Sequence, residues 1–144
     1  MNTQFFKFRT TYLLALISVL SLCVGTSPVH AQGQGGALKA WATIQQSVKE
    51  MEAAVQTKNL HAIHDPSMKI RAPIRTLKTH SSMLSTDKGQ TFKTALKELD
   101  DSVTDLHSAA DGGNQAQAET ALKDVEKAFD QLKAQDPETA FKGM

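Results

Sequence analysis

Beyond residue 37, apolar side chains return at alternating steps of three and four, with polar residues between them. That rhythm predicts amphipathic helices. Leu38, Trp41, Ile44, Val48, Met51 and Val55 make one stripe. Lys58-Asn59 breaks it, and Asn59 is a residue type able to cap the next element. A second stripe follows: Leu60, Ile63, Ser67, Ile70, Ile74, Leu77, Ser81 and Leu84. It runs without a change of register past Pro66 and Pro73. A proline inside a helix removes a hydrogen bond and kinks it, unless it stands in the first turn. Two versions fit. One helix starts at Asn59 and bends at both prolines, which the unbroken register favours. Alternatively, Asp65 caps a fresh start with Pro66 at its first position, and Leu60 to His64 form a short preceding turn.

Ser85 to Gly89 reads as a loop. Phe92, Leu96, Leu99, Val103, Leu106 and Ala110 form the third stripe, ended by Asp111-Gly112-Gly113-Asn114. Here glycine suits the C-terminal turn and Asn114 suits the next cap. Ala118, Leu122, Val125, Phe129 and Leu132 form the fourth stripe, stopped at Asp136-Pro137. No alternating run suggests a strand. The expected fold is all-α: an antiparallel up-down-up-down four-helix bundle over residues 37–136, with helix two kinked at its prolines. Trp41, Phe92, Phe129 and aliphatic residues would fill the core, and residues 137–144 would be a C-terminal tail.

The helix–Asp-Gly-Gly-Asn–helix segment, with Ala116 to Phe129 after it, resembles the small periplasmic four-helix-bundle proteins of b-type and c-prime cytochrome architecture. The likeness spans about Ala37 to Asp136 and implies the same bundle layout. The haem ligands of those proteins are missing. The last helix has no Cys-x-x-Cys-His and no histidine, and Met51 stands late on the first helix. No haem is expected.

The N-terminus alters the accounting. Lys7 and Arg9 precede Leu13 to Gly25, an apolar run too short to span a bilayer comfortably, and Val29 and Ala31 fit a small-residue cleavage pattern. Residues 1–31 therefore read as a secretory signal peptide cut after Ala31. Residues 32–36 form a flexible leader, and the destination is the periplasm. In the rival reading, Leu20-Ser21-Leu22-Cys23 is a lipoprotein box with Cys23 acylated. After the cut, no cysteine remains for a disulfide or a thiolate site. No later run would span a membrane.

Losing Lys7 and Arg9 takes the formal charge from +1 to near −1, which gives no basic field for nucleic acid. Charge is segregated, with Lys69, Arg71, Arg75 and Lys78 in the middle and Asp100, Asp101, Asp105, Asp124 and Asp130 later. Facing helices that pair complementary charges explain this most simply. A periplasmic protein partner is the alternative. A lean core fits a monomer, or a homodimer packing helices across chains.

The stretch Leu60 to Met68, LHAIHDPSM, concentrates the candidate chemistry. In such a bundle the start of helix two and the end of helix three share one end. His64 and His107 each follow a core position, Ile63 and Leu106, and are placed to face each other across that seam. His61 is three residues before His64, Met68 four after it, and Asp111 four after His107. Imidazoles and a carboxylate suit copper, nickel or zinc, and a thioether suits cuprous copper. The candidate metal ligands are His64 and His107, with His61, Met68 and Asp111 assisting. A solvated, purely structural role for the same residues is the alternative. His80 and Met83 make a second, sparser pair. No nucleophile with a supporting base, phosphate loop or paired carboxylates suggests an enzyme. The expected function is metal sequestration or resistance, or else a metal-free adaptor. Intact-mass measurement of the exported chain is expected to give a polypeptide beginning at Gln32. A lipid-modified mass beginning at Cys23 would reverse the N-terminal assignment.

Overall fold

The structure, a computed structural model, describes residues 31–142. Residues 1–30, which hold most of the expected signal peptide and Cys23, lie outside the described residues. Six α-helices follow in order: α1 (Ala31–Gln56), α2 (His64–Lys69), α3 (Arg71–His80), α4 (Thr86–Asp111), α5 (Gln115–Lys133) and α6 (Pro137–Lys142). Leu60–Ile63 and Ser81–Met83 are short 3-10 turns. The described residues are all-helical and contain no strand. None of these helices is long and apolar enough to cross a membrane.

The four stripes face one core. Trp41, Ile44, Val48, Met51 and Val55 of α1 are buried with Phe92, Leu96, Leu99, Val103 and Leu106 of α4. Ala118, Leu122, Val125 and Leu132 of α5 join them, and Phe129 is partly buried against Trp41, their rings stacked 5.5 Å apart. The stretch from residue 60 to 84 contributes Ile63, Ile70, Ile74 and Leu77, each fully buried. α1 winds back through Gln32–Gly36, the expected leader; Gly36 lies beside the His80 ring and Ala37 is buried.

Both prolines occupy the third position of a helical segment, Pro66 in α2 and Pro73 in α3. The first four backbone donors of a helix have no partner within it, so a missing N–H costs little there. Ile63 and Ile70, at the two junctions, keep right-handed helical dihedrals. The Ile70 and Ile74 amides still donate to the carbonyls of Pro66 and Ile70. The chain therefore keeps winding in register while its hydrogen-bond ladder is cut into segments. Ser67 and Ser81, the polar members of this stripe, are fully buried, and each hydroxyl donates to the carbonyl three residues earlier, at 2.7 Å.

The helix ends explain where the chain turns. The Lys58 amide donates to Val55 and that of Asn59 to Ala54, with Lys58 at φ 57°. The Gly113 and Asn114 amides repeat the pattern on Ala110 and Ala109, with Gly113 at φ 66°. Both are Schellman turns, which satisfy carbonyls a helix end would otherwise leave free. Asn114 caps α5 by accepting from the Gln117 amide, as expected, whereas Asn59 makes no side-chain cap. The Gln115 side chain donates to the Val55 carbonyl, tying the end of α1 to the start of α5.

Two segments differ from the sequence reading. Thr86 to Gly89 is the first turn of α4 rather than a loop, with Ser85 at its N-terminal boundary, and Gly89 is buried against the backbone of the preceding turn. A Cβ there would stand 2.6 Å from the Ser81 carbonyl oxygen. Residues 137–144 are not simply a tail, since Pro137–Lys142 is helical. Pro137 suits a first helical position. Asp136 accepts from the Thr139 amide, and its carboxyl is held below the ordinary range by hydrogen bonding to Thr139, first with the side chain and then with that amide. Phe141 is buried edge-on against Phe92 at 5.2 Å. A six-residue segment is too short to show a period, so its apolar contribution was hidden.

Two substitutions follow from this packing. Phe141→Ala is expected to destabilise the fold by about 3–5 kcal/mol. Gly89→Ala, which forces a side chain against backbone, should cost about 1–3 kcal/mol. Urea denaturation followed by circular dichroism measures both, and a wild-type midpoint for Phe141→Ala would show that α6 is not part of the cooperative core.

Candidate metal centre

One end of the molecule gathers the C-terminus of α1, the turn before α2, the last turn of α4 and the start of α5. Contacts across the seams place them there. Ser67 of α2 meets His107 of α4 and Gln115 of α5 reaches Val55 of α1; farther along the α4 seam, Lys78 of α3 meets Asp100 at 3.5 Å. Lys69 lies 4.0 Å from Glu50. These exposed ion pairs each contribute about 0–1 kcal/mol, so they tune the seams and do not hold them.

His64 and His107 meet across the seam between α2 and α4. Their ring centroids are 5.0 Å apart with planes inclined by 41°. Each follows a buried stripe residue, so each lies at the margin of the core. The His107 side chain is only 16% exposed, whereas Asp111, one turn later, is 64% exposed. His107 Nε2 is 3.3 Å from Asp111 Oδ2. Taking one ligand atom from each of His64, His107 and Asp111, all three lie within 4.8 Å of one another.

The proton positions follow from Ser67. Its Oγ lies 2.7 Å from the His64 carbonyl oxygen and 2.9 Å from His107 Nδ1. The carbonyl can only accept, and the hydroxyl has one proton. Both contacts are hydrogen bonds in a single arrangement: Ser67 Oγ–H donates to His64, and His107 Nδ1–H donates to Ser67. In neutral His107 the lone pair is then on Nε2, the nitrogen that faces Asp111. Two acceptors 3.3 Å apart repel unless a proton or another cation lies between them. The last turn of α4 adds to this, because the carbonyl end of a helix favours positive charge.

The same end holds a cavity of about 440 Å³ lined by Lys58, Asn59, Leu60, His61, His64, Ala110, Asp111 and Gly113. His61 is exposed on its wall, outside the three-residue cluster. Met68 is 50% exposed and does not line this cavity. The structure thus brings together His64, His107 and Asp111, sets His61 beside them, and leaves Met68 in solvent. At the other end, His80 Nδ1 lies 2.9 Å from the Thr76 carbonyl and the ring packs edge-on to Phe141, while Met83 is 66% exposed. Ser67 is the cluster's neighbour whose contact with His107 the spacing did not reveal. Its signal was a serine at a stripe position, three residues after His64. No protein-family model, curated protein or solved structure matches this chain.

Ser67→Ala removes the acceptor for His107 Nδ1–H. In the metal-free protein the imidazole is expected to change from one dominant Nδ1–H tautomer to a mixture. Nitrogen-15 imidazole shifts read this directly, and a dominant Nε2–H tautomer in the wild type would contradict the assignment.

Proposed function

We propose that the chain is an exported, periplasmic helical protein that binds one transition-metal ion through His64, His107 and Asp111, in a sequestration or resistance role. The observation that carries this reading is the facing pair of acceptors, His107 Nε2 and Asp111 Oδ2, 3.3 Å apart with His107 oriented by Ser67. That separation is close to the edge of a tetrahedron with metal–ligand bonds of about 2.0 Å. The histidine hydrogen-bonded through its other nitrogen is the usual support for a metal ligand. Two imidazoles and one carboxylate favour zinc, cupric copper or nickel over cuprous copper, which would need the Met68 thioether. Three protein donors leave a position open, which suits exchange of the ion with solvent or a carrier.

The supporting architecture is an antiparallel four-helix bundle in which the segments from residue 60 to 83 together act as the second helix. Contacts between Ser67 and His107 and between Lys78 and Asp100 support that sense of pairing, since one number rises as the other falls. Burial of Ser67 in the core side of this seam ties the site to the fold, so the His107 ring is oriented before any ion arrives. Preorganisation of this kind lowers the cost of binding.

Calorimetric titration of the chain from Gln32 to Met144 with zinc, cupric and nickel ions tests the reading. One ion is expected to bind per chain, with loss of that binding in His107→Ala and His64→Ala. Ser67→Ala should weaken it about 10- to 100-fold. Binding should fall with acidity as protons compete for the imidazole nitrogens and the carboxylate. Equal affinity in wild type and both histidine variants would refute the site.

A further inference from the structure

The metal site opens on a cavity whose walls have a chemistry of their own. His107 does not line it; His64 and Asp111 do. An ion held by all three therefore has His107 behind it and the cavity in front, where its open position would face. At about 440 Å³ the cavity falls in the size range of small-molecule sites, far beyond what a water ligand needs. Lys58 also lines it, at the left-handed position that closes α1. Two backbone hydrogen bonds fix the Lys58 backbone there. A lysine pays a conformational penalty at φ 57° that glycine, present at the equivalent Gly113, would not.

Charge decides the class of ligand. A divalent ion with neutral His64 and His107 and ionised Asp111 leaves one net positive charge, and Lys58 adds another. Asp111 is the sole acidic residue lining the cavity, and its charge is directed to the metal. The loaded cavity is therefore cationic, bordered by the metal ligands His64 and Asp111 and by Lys58. The rim supplies neutral polar groups on Asn59 and His61.

We propose that this site takes its metal together with a small anion bearing two carboxylates. One carboxylate would fill the open metal position and the other would pair with Lys58. The physiological cargo would then be a metal–carboxylate chelate and not the bare ion. This rests on the metal-binding reading, and the experiment separates the two. The mature chain is saturated with cupric ion and its visible d–d absorption is followed while glutarate is added, with acetate as the one-carboxylate control. Glutarate is expected to shift the band saturably at millimolar concentration, more tightly than acetate. Lys58→Ala should weaken the glutarate response about fivefold and bring it close to that of acetate. Failure of the apo protein to bind cupric ion would refute the metal site itself. Cupric binding with no glutarate shift would place a protein group, His61 foremost, in the open position and overturn only the chelate. Equal responses to glutarate in wild type and Lys58→Ala would overturn the role of Lys58 and the two-carboxylate class with it.

Discussion

The stripe from Ile63 to Leu77 must keep one face inward although Pro66 and Pro73 each withhold a backbone donor. The chain meets this constraint by cutting the ladder into short segments whose early positions need no donor. Right-handed dihedrals at Ile63 and Ile70 carry the register across the cuts. Had either proline turned the stripe, Ser67 would have left the core and His64 would have left the α4 seam. The geometry of the histidine end is thus a consequence of how the prolines are accommodated in a segment distant in sequence from His107.

Ser67 connects packing with chemistry. A hydroxyl inside an apolar stripe costs free energy unless it is hydrogen-bonded. The His64 carbonyl satisfies its donor, and the His107 ring satisfies its acceptor. The same two bonds that make the serine tolerable also choose the imidazole tautomer and leave the lone pair of Nε2 aimed at Asp111. Ser81, its counterpart in the stripe, also donates to the carbonyl three residues earlier, but it makes no hydrogen bond to a histidine ring, and that end of the molecule gathers no comparable ligand set among the described residues. What differs between the two serines is the histidine across the seam from Ser67.

The two Schellman turns shape the space in front of the site. They bring Lys58 and Gly113 to the same cavity from the ends of α1 and α4. A helix end concentrates carbonyl partial charge, and two such ends lie here, which favours cations at this face. Far from the site, α6 closes the opposite end by inserting Phe141 beside Phe92 and His80. The two ends differ accordingly: one is sealed with an aromatic ring, the other left open and polar.

The sequence by itself determined the helical class, because steps of three and four persist over many turns and leave few arrangements for the apolar faces. It also determined most of the core residues of the four long stripes, and the candidate pairing of His64 with His107, with His61, Met68 and Asp111 as helpers, since flanking positions at matching heights were readable from spacing. Tertiary structure alone decided the rest. Phe141 enters the core through a helix too short to show a period, and Gly89 is required by a carbonyl from the preceding turn. Met68 shares His64's helical face in spacing, yet it is half exposed and does not line the cavity, whereas His61 does. Ser67 gains its role from a residue forty positions away. Periodicity reports which face of a helix is buried, whereas the orientation of an imidazole depends on which single proton a neighbouring hydroxyl has already given away.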